Sequence, residues 1–309
     1  MSIRSNASLA TMVPRRPRPA RPQRAELMLT PSLKGRALAA TALVLCTSMA
    51  AFAQTSPAQP AAVGAGDDAE LAKKLSNPIS DLVSVPFQFN WEQNVGPDKQ
   101  TRFILNVQPV MPFSLTPKLN LIARVIVPFV SQPSLFEGGT AASGVSDILT
   151  SFFLSPNTGS TFTWGAGPAM SLPSTAEPTL GTEKWSAGPT IVVLKQAGPW
   201  TVGALWNQLW SFSGNVSRED VNQMFVQPFL AYTTQKALTI TVQSESVGNF
   251  NADDEQWTVP INLLLSKVAT FGTFPASYQV GFGGYAVHPE GAPSWKIRGA
   301  IVLLLPRRR

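Results

Sequence analysis

The sequence is poor in the residues that most protein chemistry requires. Of its 309 residues one is a cysteine, Cys46, and one is a histidine, His288. A disulfide framework or a His/Cys metal site cannot be assembled from that supply. Charged residues amount to 14%. The apolar run Ala37 to Ala50 is about fourteen residues, where a membrane-spanning helix needs about twenty. The formal charge of +6 comes from the first 53 residues, so the chain from Gln54 onward, Arg307 to Arg309 included, has a net charge of about −1 and gives no warrant for a nucleic-acid partner. Catalysis lacks its parts as well. A serine nucleophile would need His288, which sits in Val287-His288-Pro289-Glu290 with no serine signature beside it. No enzymatic activity, cofactor or metal is therefore expected.

The amino-terminal part reads as an export signal. Lys34 and Arg36 form a basic region, Ala37 to Ala50 an apolar one, and Ala51-Phe52-Ala53 before Gln54 is a small-x-small cleavage site. Residues 1–53 are thus a targeting region with a cleaved signal peptide, and Met28 is an alternative translation start. Cleavage removes Cys46, and a chain without cysteine suits an oxidising periplasm. Residues 54–82 begin with an Ala/Pro/Gly/Gln-rich linker, Gln54 to Gly66. The spacing then predicts a short helix capped by Asp67 and Asp68, with Leu71 and Leu75 on one face and Pro78 as its limit. Such a helix either packs at the mouth of a barrel or enters its lumen as a plug.

What the sequence has in abundance is alternation. From Val83 to Leu305 it divides into about twelve segments, most of which alternate apolar with polar residues. The links between them alternate too, tight at Ser114 to Lys118, Gln196 to Pro199 and Thr234 to Lys236, longer at Val130 to Gly144 and Leu172 to Lys184. Short periplasmic turns and longer outer loops have this asymmetry in a transmembrane barrel. The expected fold is all-β: a closed antiparallel transmembrane β-barrel of about 12 strands over residues 83–309, with a short N-terminal helix, in the outer membrane of a Gram-negative bacterium. Ten strands remain an alternative, because Lys184 to Gln196 and Ser146 to Ser155 alternate imperfectly.

In the first segment Val83, Val85, Phe87, Phe89 and Trp91 fall on one face and Ser84, Gln88, Asn90 and Glu92 on the other. The first face suits lipid and the second water. Aromatics collect at the segment ends, with Trp91, Phe129, Trp185, Phe212, Trp257 and Trp295 at one interface and Phe113, Phe162, Trp200, Tyr232 and Phe274 at the other. In segment seven Trp200, Trp206, Trp210 and Phe212 share one parity. They form a lipid-facing row, unless a bulge turns Trp206 or Trp210 inward.

The residues expected to face the lumen are Gln88, Asn90, Glu92, Arg102, Asn106, Gln108, Arg124, Asp147, Glu245, Asn262, Lys296 and Arg298. Their mixed charges favour pairing, Glu92 with Arg102 and Arg124 with Asp147, which would brace the barrel. Alternatively some of them form a constriction that selects solutes by charge.

Prolines stand against a closed sheet, since each removes a ladder donor. Pro86, Pro109, Pro112, Pro128, Pro168, Pro189, Pro228 and Pro260 all fall in or at the ends of segments. Two echoes, Gln108-Pro109 with Gln227-Pro228 and Gly167-Pro168 with Gly188-Pro189, point to a repeated local device.

The stretches Asn77-Pro78-Ile79 through Val85-Pro86-Phe87-Gln88, Gln108-Pro109-Val110, Ser146-Asp147-Ile148, Gln227-Pro228-Phe229 and Trp257-Thr258-Val259-Pro260-Ile261-Asn262 resemble the outer-membrane proteins grouped as the MetA-pathway of phenol degradation family, often labelled only as transporters. The resemblance spans about Leu75 to Leu305. It implies a barrel that passes aromatic or other hydrophobic compounds and that is inserted by the barrel assembly machinery. Such barrels usually close on a terminal aromatic residue, whereas this chain ends Leu304-Leu305-Pro306 and three arginines.

The leading functional expectation is a passive channel for small hydrophobic or aromatic compounds, with outer-membrane lipid as the surrounding partner. The alternatives are a structural or surface-interaction barrel with a closed lumen, and an outer-membrane lipase.

Overall fold

The computed structural model describes residues 65–157, 160–175, 177–271 and 274–305. The expected signal peptide, and most of the expected linker, lie outside the described residues. A helix α1, Ala65–Leu75, precedes an antiparallel meander. Its strands are β1 (Val83–Val95), β2 (Gln100–Val107, resumed at Val110–Thr116), β3 (Leu119–Gln132), β4 (Ala142–Val145, resumed at Ile148–Pro156), β5 (Phe162–Leu172) and β6 (Lys184–Ala197). The second half comprises β7 (Trp200–Gly214), β8 (Asn222–Thr233), β9 (Leu238–Ser244, resumed at Ser246–Asn249), β10 (Trp257–Phe271), β11 (Phe274–Val287) and β12 (Trp295–Leu305).

Each strand pairs with its neighbours in sequence, and β12 returns to β1 from Val83↔Leu305 to Gln93↔Trp295. The sheet is therefore a closed barrel of 12 strands, with every ladder edge paired, as a bilayer requires. Links at 117–118, 198–199 and 234–237 mark the periplasmic end; those at 133–141, 215–221 and 288–294 mark the outer end. One outer link is short. Residues 96–99 form a turn in which Gly96 adopts φ 73°, and a Cβ there would run into the Ser134 carbonyl. Only glycine fits both conditions.

The outside of the barrel inverts the pattern of a water-soluble protein. Ile191, Val193, Val202, Leu263, Val280 and Phe282 are all exposed. The two aromatic girdles form around them: Trp91 stacks near Phe89 and Phe103 at the outer end, and Trp200 meets Tyr232 edge-on at 4.8 Å at the periplasmic end. This surface belongs in an outer membrane. Trp200, Trp210 and Phe212 are exposed to lipid along β7, so the row expected there stands on the lipid side.

Some of the prolines fall at local breaks, while Pro86, Pro112 and Pro228 sit in continuous register. Pro109 falls in the gap that divides β2, where its carbonyl still accepts from Val125 N and Gln108 N still donates to Pro86 O. Pro260 sits at a register shift between β10 and β11. Pro168 and Pro189 face each other across β5 and β6. A Cβ at the preceding Gly167 or Gly188 would strike the carbonyl of Phe152 or Gln208 on the next strand, so both Gly-Pro pairs mark places where backbones crowd.

The interior was expected to be polar and is only partly so. Ile79, Val110, Ile122, Phe153, Val192, Leu194, Leu205 and Phe229 form a buried apolar cluster. It fills the side of the lumen bounded by the resumed part of β2 and by β3, β4, β6, β7 and β8. Most of the charged side chains occupy the other side, on β1, β2, β9 and β12, with Arg124 on β3 at the border between the two. The lumen is thus amphipathic around its circumference.

Candidate functional site

The charged wall follows from strand register. Glu92 on β1 lies opposite Arg102 on β2 and Lys296 on β12, and Asn90 lies opposite Arg298. Arg102 Nε donates to Glu92 Oε2 at 2.7 Å and Tyr285 Oη donates to Glu92 Oε1 at 2.6 Å. Glu245, at the break in β9, accepts from Arg298 through both oxygens, at 2.8 and 2.6 Å, and from Lys296 Nζ at 3.3 Å. Arg298 Nε completes its set on Asn90 Oδ1 at 2.7 Å. In a partly desolvated lumen such bidentate, charge-assisted contacts are what hold the charges in place. Gly283 makes room for them. A Cβ there would press on Asn262 Oδ1 and on the Lys296 stem.

From this cluster a hydrogen-bonded chain runs around the lumen. Arg124 on β3 donates to Gln108 Oε1 at 2.8 Å, Gln108 to Gln88 at 3.3 Å, and Gln88 to Asn90 at 3.5 Å. On the far side of Arg298 and Glu245 it continues through Gln243, which donates to Glu245 at 3.1 Å and accepts from Gln227 on β8 at 3.2 Å. Six strands are tied by side chains alone.

This belt divides the interior into two chambers. The outer, of about 600 Å³, is lined by Glu92, Arg102, Glu245, Lys296 and Arg298, with Ile104, Ile126 and Phe225 as apolar patches. The inner, of about 220 Å³, lies towards the periplasm between Leu75 and Pro78 at one end and Phe229, Leu264 and Val268 along the wall. Gln108, Arg124, Gln227, Gln243, Leu264 and Gln279 line both. They form the neck between the chambers.

Helix α1 sits below the inner chamber. Ala72 packs with Ala237 and Val268, flanked by Leu71 and Leu75. Gln196 Nε2 donates to Lys73 O at 3.0 Å and Thr270 Oγ1 to Asp68 Oδ1 at 3.3 Å. The helix starts at Ala65, so Asp67 and Asp68 lie within its first turn and do not precede it as caps. Asp68 there still complements the helix dipole.

Of the residues expected to face the lumen, Gln88, Asn90, Glu92, Arg102, Asn106, Gln108, Arg124, Glu245, Lys296 and Arg298 line the outer chamber. Asn262 is buried beside them, its amide 3.5 Å from Gln243 O. Asp147 departs from expectation. Register sets Arg124 opposite Val110 and Ser151, so the expected Arg124–Asp147 pair does not form. Asp147 instead holds the 173–183 link at the outer end, accepting from Thr182 N and Oγ1, each at 2.7 Å. Sequence reasoning passed over Gln227, Gln279 and Tyr285 as lumen residues, while the alternation of β9 already puts Gln243 on the polar face with Glu245. The signal for two of the neck residues was present in the echo of Gln108-Pro109 and Gln227-Pro228: both glutamines stand in the neck.

His288 is exposed at the outer end, its Nδ1 3.0 Å from Pro289 O. Among the described residues no serine hydroxyl bonds to it, and no group of three metal-ligating side chains is brought together.

No protein-family model matches the chain, and no curated protein matches it. Solved structures do. An outer membrane channel from Pseudomonas putida F1 superposes with a TM-score of 0.56 at 14% identity, over 82% of this chain and 100% of that one. The NanC porin gives 0.49 at 9% identity, over 73% of this chain and 100% of its own. The outer membrane phospholipase A of Escherichia coli gives 0.43 at 14% identity, over 79% and 99%. At these identities the likeness is one of fold. The fold shared with the Pseudomonas channel is the outer-membrane barrel.

Proposed function

We propose that this barrel is a passive outer-membrane channel for small hydrophobic or aromatic compounds, with α1 acting as a plug at its periplasmic mouth. The observation that carries this is the pair of chambers in series, joined at a neck of flexible glutamine side chains and bordered by an apolar wall. A barrel that served only as a scaffold has no need of an aligned cavity pair, and side chains would fill it. The resemblance to the phenol-degradation group and the channel function of the Pseudomonas structure support the same reading. The residues of the neck and of the charged wall would set which solutes pass.

Single-channel conductance of the refolded chain in a planar bilayer tests it. The chain lacking residues 54–76 is expected to conduct steadily and more than the chain that retains them. Silence in both would overturn the proposal in favour of a closed structural barrel, which the apolar cluster inside the lumen would then explain.

A further inference from the structure

The two chambers are unequal in charge. Four cations, Arg102, Arg124, Lys296 and Arg298, face the outer chamber against two carboxylates, Glu92 and Glu245. Three of the cations have a carboxylate in contact. Arg124 does not: it donates to the neutral amide oxygen of Gln108. It is also the one charged side chain that lines the inner chamber among the described residues. A guanidinium with five donors, held in a neck by one amide, keeps donors free for a planar anion.

The inner chamber supplies the rest of the site. Its lining is mixed: Phe229, Leu264, Val268 and Leu75 supply an apolar patch among hydroxyl and amide side chains such as Ser84, Thr241 and Ser277, and its volume is about 220 Å³. An apolar cavity of about 150 Å³ takes up one benzene molecule. A single substituted ring therefore fits, with its polar group directed towards the neck.

We propose that the neck binds small aromatic carboxylates, with the carboxylate on Arg124 and the ring in the inner chamber. This rests on the channel reading and narrows its solutes to amphipathic anions of about one ring. A bidentate contact between guanidinium and carboxylate supplies the discrimination against uncharged rings of equal size. The surplus positive charge of the outer chamber draws the anion to the neck.

The test compares benzoate with benzamide, which has the same shape and no charge. Isothermal titration calorimetry on the folded barrel in detergent is expected to show benzoate binding about tenfold more tightly, the difference a charged hydrogen-bonded pair provides. Arg124→Gln should bring the two ligands to equal affinity, and Arg124→Lys should restore part of the preference. Heat-modified migration in gel electrophoresis reports whether each variant is folded. Equal affinities of the wild type for benzoate and benzamide would overturn the assignment whatever the variants do, as would an unchanged preference in folded Arg124→Gln. Conductance is measured separately on the same preparations. A barrel that binds benzoate selectively yet never conducts would keep the anion site and lose the channel, and one that conducts without preference would do the reverse.

Discussion

Glu245 neutralises two cations at once, and its replacement would leave both of them with Glu92, already held by Arg102 and Tyr285, as the neighbouring carboxylate. Glu245→Gln is therefore expected to lower the unfolding free energy by about 3 kcal/mol, because removing one partner of a buried pair strands the other. Urea titration of the barrel in lipid vesicles would show it as a lower midpoint. At the outer surface the electrostatics run differently. Hydrogen bonds from Lys184 and Ser211, with the Lys184 charge, hold the fully exposed Asp220 carboxyl below the ordinary aspartate value. A depressed folded value means that the Lys184–Asp220 clasp is complete above the ordinary aspartate pKa of about 3.9 and is lost as pH falls through the lower folded value. Carboxyl carbon resonances should place the Asp220 titration below that of a free aspartate, and Lys184→Met should move it back up. An Asp220 that titrates in the ordinary range with Lys184 present would show that the clasp does not persist in solution.

At the scale of elements, α1 is held by an apolar seam and by a few hydrogen bonds, whereas each strand is held by backbone ladders on both sides. Ala72→Glu places a charge where Ala72 is buried against Ala237 and Val268, so it should release the helix. The expected result is higher conductance with an unchanged unfolding midpoint; an unchanged conductance would mean that the helix does not limit flux. The elements also show what the sequence could carry. Strands β1, β2, β9 and β12 were legible because lipid lies on one face and charged or amide side chains on the other, which gives clean alternation. Strands β4 and β6 were not, and the reason is physical. Phe152 and Leu154 face lipid while Phe153 between them is buried inside, and Ile191 and Val193 face lipid while Val192 and Leu194 are buried. A strand with apolar surroundings on both faces loses its period of two. The candidate site was legible to the same extent. Glu92 and Arg102 could be paired from neighbouring strands, whereas Arg124 with Asp147 could not, since the divided β4 sets a register that no alternation pattern reveals.

For the whole molecule the decisive property is that one lumen carries an apolar cluster on one side and most of its charge on the other. The apolar cluster around Phe153 joins β2, β3, β4, β6, β7 and β8 to Ile79, which follows the helix, while the amide and charged belt lies mostly on the remaining wall. Phe153→Ala is expected to cost about 3–5 kcal/mol, the range for truncating a buried phenylalanine, and to leave ion selectivity as it was. Arg124→Gln is expected to change the ratio of anion to cation permeability towards cations, since it removes half of the positive surplus in the outer chamber, and to shift the unfolding midpoint far less than Phe153→Ala does. Reversal potentials under a salt gradient and urea midpoints, measured on both variants, separate the two effects. Should Phe153→Ala alter the reversal potential as strongly as Arg124→Gln, the two walls would be acting as one unit and the neck could not be treated as the place where solutes are chosen.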